Sequence, residues 1–184
     1  FFYGAIIMRG VIEEKSSRVV EVILSSLKPF QLMVGKILGI GAVGLTQYSI
    51  WALFGFAATR YGKSLLASSV PIPADFKFPS IPVYVFVYFV VFFLLGYFLY
   101  GTVYAAVGSM VNSEKEANQL LFPINMLLVI PVMLLMFVMR SPDSNFSVVL
   151  SMIPFCAPIL MLLRICILLP SFVQVGGSIL ILLL

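Results

Sequence analysis

Long apolar runs broken by short charged or proline-rich stretches set the pattern of this 184-residue chain. Residues 1–11 are apolar but too short to span a bilayer, and Arg9 closes them at an interface, so they read as the end of a spanning helix. Residues 12–34 are the charged exception, and they read as helices lying at the membrane surface. Within them Val19, Val20, Ile23, Leu24 and Leu27 repeat on one helical face. Glu14 and Arg18 stand four apart in the favourable acid-before-base order, and Arg18 and Glu21 three apart. Lys28 precedes Pro29, so this helix ends there and Pro29 opens the next. Residues 36–59 carry no charge after Lys36, enough for one span at about 1.5 Å per residue across roughly 30 Å.

From Arg60 to Pro82 a polar connection holds Pro71, Pro73, Pro79 and Pro82 and reads as a loop. Residues 83–108, dense in Tyr and Phe, form a second span. Ser113 with Glu116 fits a capping box and predicts a helix start there. Residues 119–139 form a third span, with kinks expected at Pro123 and Pro131. Residues 147–170 are apolar but contain Pro154, Pro158 and Arg164. Two short helices that dip into one leaflet and return fit them better than one continuous crossing, provided protein or water satisfies the freed backbone groups. Residues 172–184 begin a last span. Both ends read as cut, and the chain as part of a longer membrane protein.

Composition narrows the class. Hydrophobic residues make up 62% and charged residues 10%, whereas a soluble domain carries about 25% charged. The fold class is therefore all-α, a polytopic helical membrane protein. The net charge of +4 suits anionic lipid headgroups; no basic patch interleaved with exposed aromatics points to nucleic acid. Arg9, Lys15, Arg18, Lys28, Lys36 and Lys115 fall on one side, and Arg60, Lys63, Lys77, Arg140 and Arg164 on the other. The dense cluster before Ile37 assigns the first side to the cytoplasm.

Several chemistries drop out. The chain has no histidine, which removes His-dependent zinc sites and Ser-His or Cys-His nucleophiles. No P-loop pattern is present, and no pair of acids lies within an apolar span. Gly39-Ile-Gly-Ala-Val-Gly44 matches the dinucleotide fingerprint by letter, but lies inside a span without the required strand or acidic residue. Gly35 with Gly39, and Gly101 with Ala105, instead permit close helix approach. Cys156 and Cys166 read as packing residues.

The polar residues inside the spans are the remaining candidates. Thr46 and Gln47 either line a translocation path or make interhelical hydrogen bonds, and Asn125 invites the same two readings. Arg164 must snorkel, pair or face water; an interfacial anchor is the plainer reading and a gate or pathway residue the sharper one. For Glu13, Glu14, Lys15, Arg18 and Glu21 a solvated amphipathic helix and a docking surface both stand.

Gly10-Val-Ile-Glu-Glu-Lys-Ser-Ser-Arg-Val-Val-Glu21, then Gly35-Lys36 and Gly44-Leu-Thr-Gln47, resembles the permease subunit of type-2 ABC exporters, most closely the sodium-efflux (NatB-like) permeases. Ser113-Glu-Lys-Glu-Ala-Asn-Gln119 and Ile153-Pro-Phe-Cys-Ala-Pro158, with Met161 and Arg164, fit the same family. The resemblance implies a multi-pass subunit of the cell membrane with six helices, this stretch holding part of the second through part of the sixth. It implies that Glu13–Glu21 is a coupling helix seated in a separate ATPase subunit, which binds ATP and Mg, so that no cofactor belongs to this chain. It also implies a second permease subunit, and an outer position for the short helices around Pro154 and Pro158. The family's first helix and large outer domain are absent from these residues, which leaves the cargo open. An ion-coupled secondary transporter, needing no ATPase, is the alternative; a membrane enzyme and a structural anchor are the remaining ones.

Overall fold

The computed structural model describes residues 2–16, 28–66 and 82–184. Among these residues the fold is all helical, without strands, in the order α1 (Phe2–Ser16), α2 (Pro29–Leu66), α3 (Val83–Met110), α4 (Glu114–Arg140), α5 (Asn145–Met152), α6 (Ala157–Ile167) and α7 (Phe172–Leu183). Three stretches are long and apolar enough to cross a membrane: Phe30–Ala57, Val83–Met110 and Glu114–Arg140.

The helix ends follow the local chemistry, with some departures. Pro29 does begin α2, as its fixed φ favours. Ser113 caps α4 by accepting from the Glu116 N–H at 3.3 Å. The Glu116 carboxylate returns to the N–H of Asn112 at 3.1 Å, one residue before the usual capping-box position. Pro123 and Pro131 lie inside α4 without ending it.

Three boundaries shift. The end expected at residue 11 moves to Ser16, so Glu13, Glu14 and Lys15 continue the first helix instead of opening a separate surface helix. The stretch from 29 to 36 merges into the span that follows. That same helix runs on to Leu66 where a loop from Arg60 was expected, because no proline occurs before Pro71 and one Gly62 costs only about 1 kcal/mol in a helix. The remainder of that connection, and Arg18 and Glu21, lie outside the described residues.

Helix α3 is the hub, touching α1, α2, α4, α6 and α7. Its closest neighbour is α1. There Gly108 lets the backbones meet: a Cβ added to it would lie 3.0 Å from the Met8 carbonyl oxygen and 3.1 Å from Val11 Cβ. Gly101 packs similarly on Ile7, and Ala105 is buried beside them, as the small-residue spacing anticipates. On α2 the close approaches fall at other glycines. Among the described residues Gly41 meets Tyr97 and Gly44 meets Tyr3 and Phe93, whereas Gly35 and Gly39 have nothing within 4 Å. Small residues cover two faces of α2, and the sequence does not say which one its neighbour takes.

Three apolar clusters hold the bundle. Met8 and Ile12 pack with Tyr104, Val107, Ala117 and Leu121 at one end. Phe92 packs with Ala157, Met161, Ile165, Val175 and Leu182 toward the other, and Val138 with Cys156 and Leu160 beside it. Residues 147–170 indeed form two short helices. Their connection is level with Tyr100 of α3 and Leu127 of α4, since the Tyr100 hydroxyl reaches carbonyls of both Phe155 and Leu127. Leu127 is the middle residue of α4, so the hairpin of α5 and α6 reaches half-way down the bundle.

Candidate functional site

The charged end of α1 is fastened to its own chain. Glu14 pairs with Lys36 of α2 at 2.7 Å, with side chains 25% and 18% exposed respectively. Lys15 Nζ donates to the carbonyl oxygens of Ser109 and Val111 at 3.3 and 3.2 Å. These carbonyls end α3, where the unpaired C=O groups and the helix dipole favour a cation. Glu13 points to solvent. A mixed-charge groove of about 430 Å³ lies between α1 and α2, lined by Arg9, Glu13, Glu14 and Lys36 over Ile6 and Ile40. The segment thus carries an exposed acid and an exposed arginine, while Glu14 and Lys15 set the angle at which α1 meets α2 and α3.

The polar residues of the spans are distributed. Thr46 donates to the carbonyl of Ala42 in its own helix at 2.8 Å, and Gln47 accepts from the Tyr3 hydroxyl. Both line an open apolar groove of about 740 Å³ with Val43, Ile50, Trp51 and Phe54, all on one face of α2. Asn125 accepts from the Tyr104 hydroxyl at 2.7 Å, so it serves interhelical bonding between α3 and α4.

Arg164 is enclosed, 1% exposed, within the α5–α6 hairpin. Its guanidinium donates to Pro142 O at 2.8 Å, Ser151 Oγ at 2.9 Å and Gln174 Oε1 at 3.0 Å, with Asp143 at 3.9 Å. Ser178 adds a contact to the Ser151 carbonyl. Pairing satisfies the charge, and the fork geometry of guanidinium ties the α4–α5 turn, α5 and α7 to α6.

Sequence reading passed over the tyrosines of α3. Tyr97, Tyr100 and Tyr104 recur at helical spacing, and each hydroxyl reaches a different element: Ile37 O at 2.6 Å, Phe155 O at 2.7 Å and Asn125 Oδ1 at 2.7 Å. Their spacing in an apolar span was the available signal, because a buried phenol needs a partner.

Among the described residues the chain is an all-helical bundle with three helices long and apolar enough to cross a membrane, one charged helix end and a hairpin of two short helices. The family model described as "ABC-2 family transporter protein" matches residues 1–184, and the chain belongs to that family. It is 40% identical over 164 residues to the uncharacterized protein YhaP of Bacillus subtilis, covering 89% of this chain and 39% of that protein. It is 33% identical over 161 residues to the uncharacterized protein MJ1024 of Methanocaldococcus jannaschii, covering 88% of this chain and 36% of that one. The chain therefore spans less than half the length of these relatives. No solved structure matches it.

Proposed function

We propose that this chain is part of a permease subunit that couples ATP hydrolysis in a separate ATPase to export across the cell membrane. The observation that carries the proposal is the lysine clamp. Lys15 joins the end of the segment meant to meet the ATPase to the end of α3, the helix that touches α1, α2, α4, α6 and α7. A push on that segment would move α1 and α3 together. The exposed Glu13, with Arg18 and Glu21 beyond the described residues, would meet the ATPase, while Glu14 and Lys15 hold the lever in place. A second permease subunit would complete the path, with the α2 groove around Thr46 and Gln47 facing it or the lipid. Sodium is the cargo that the family resemblance implies, and the described spans hold no acidic cage that would argue for it independently.

The test is co-purification followed by transport in vesicles. The full-length protein should bring down a P-loop ATPase, and charge reversal at Glu13 together with Arg18 should abolish ATP-driven export while leaving membrane insertion intact. Export that persists without any ATPase, driven by an ion gradient, would establish the secondary-transporter alternative in its place. Labelling of Glu13→Cys from outside the cell would also overturn the proposal.

A further inference from the structure

Tyr100 stands between two backbone carbonyls that interruptions of the helices expose. Pro131 has no N–H, so the Leu127 carbonyl four residues earlier loses its helical partner. Phe155 lies in the break between α5 and α6. At the middle of an apolar bundle, carbonyls of both kinds need a donor from protein. Tyr100 has one hydroxyl proton to give. It gives it to Phe155 O at 2.7 Å, while Leu127 O waits at 3.4 Å, beyond ordinary O–H···O length. The Tyr100 and Phe155 rings also meet edge to face, their centroids 6.0 Å apart. On the other side of the tip, Pro158 rests on Gly96, one turn of α3 away, where a Cβ would meet it at 2.8 Å.

We propose that Tyr100 is a two-position latch on the hairpin tip. In the described arrangement its hydroxyl holds the tip through Phe155 O. When the tip withdraws, the same proton passes to Leu127 O, so neither position leaves a bare phenol inside the bundle. Pro131 is required because it keeps Leu127 O open as the second acceptor. The latch rests on the transport reading for its purpose, since it lets the hairpin move during a cycle. Its existence is a property of the permease chain alone.

The reporter is Cys156, buried in the tip beside Val138 and Leu160. In the full-length protein with every other cysteine replaced by serine, the rate of Cys156 labelling by a maleimide measures tip withdrawal without ATP or cargo. Tyr100→Phe keeps the ring and removes the proton; labelling should rise several-fold. Pro131→Ala restores an N–H that occupies Leu127 O, and labelling should fall at least twofold. In the double variant the second substitution should add nothing to the first, because no hydroxyl remains to be redirected. Pro123→Ala, which restores an N–H to Gln119 O about two helical turns before Leu127, should change nothing. An unchanged rate in Tyr100→Phe, or a Pro131→Ala effect of equal size with and without Tyr100→Phe, would overturn the latch. These readings hold whether or not an ATPase partner is found, so failure of the latch and failure of the transport reading are separable. Slowed ATP-driven export in Pro131→Ala vesicles would then tie the latch to the cycle.

Discussion

The Lys15 ammonium lies 3.2 Å from the carbonyl oxygen of Val111, so the last turn of α1 is pinned to the end of α3. Two segments far apart in the chain share one junction, and the residue that joins them sits in the most charged part of the sequence. Lys15→Gln removes the cation from the α3 terminus, a contact worth about 0.5–1 kcal/mol at an exposed site. Thermal unfolding in detergent should show a correspondingly small loss. Coupling of ATPase turnover to export should fall much further, and Lys15→Arg should keep most of it. Coupling that survives Lys15→Gln would remove the clamp from the mechanism.

The Glu14–Lys36 pair is partly exposed, which limits its worth to below about 1 kcal/mol. A double-mutant cycle with Glu14→Gln and Lys36→Gln should return an interaction energy in that range, shrinking as salt rises. The exchange Glu14→Lys with Lys36→Glu should recover most of the stability lost by either reversal alone.

Arg164 predicts a larger effect. Replacement by alanine leaves Pro142 O, Ser151 Oγ and Gln174 Oε1 short of a charged donor and opens a cavity, together about 3 kcal/mol or more. Folded yield after detergent extraction should drop sharply. Arg164→Lys keeps the charge but cannot fork to three acceptors, so it should rescue only part. Asp143→Asn should be nearly silent, because that carboxylate is 75% exposed and 3.9 Å away.

Glycine substitutions separate the faces of the bundle. Gly108→Ala places a methyl against the Met8 backbone and should cost about 1–3 kcal/mol by forcing α1 from α3. Gly35→Ala and Gly39→Ala meet nothing among the described residues and should gain up to about 1 kcal/mol of helix propensity. Unfolding midpoints of the purified protein check both directions. A stability loss at Gly35 or Gly39 would reveal a helix from outside the described residues packed on that face.

Much of the architecture could be read in advance because its signals are local. An uncharged run of span length, Pro29 at a helix start and Ser113 three residues before Glu116 each act through their own few residues. The two short helices around Pro154 and Pro158 were legible for the same reason, since Pro154 falls in the break and Pro158 in the first turn of the helix that follows, where its missing N–H costs nothing. Helix ends without a strong breaker were not: α1 continues through Glu13–Lys15 because its charged turn finds Lys36 and the α3 terminus, and neither partner is visible locally.

The sequence by itself therefore determined an all-helical membrane chain, its main helices, its charged segment and its family pattern, all of which depend on hydrophobicity and on spacing along one helix. Only the tertiary structure decided which face of α2 meets α3, that Arg164 is a bonded centre of the α5–α6 hairpin, and that the Tyr100 hydroxyl lies between the carbonyls of Phe155 and Leu127. Those facts arise when helices pack. Many apolar and small residues fit an interface equally well by composition, while a buried charge or phenol takes whichever acceptor the packing brings within hydrogen-bond distance.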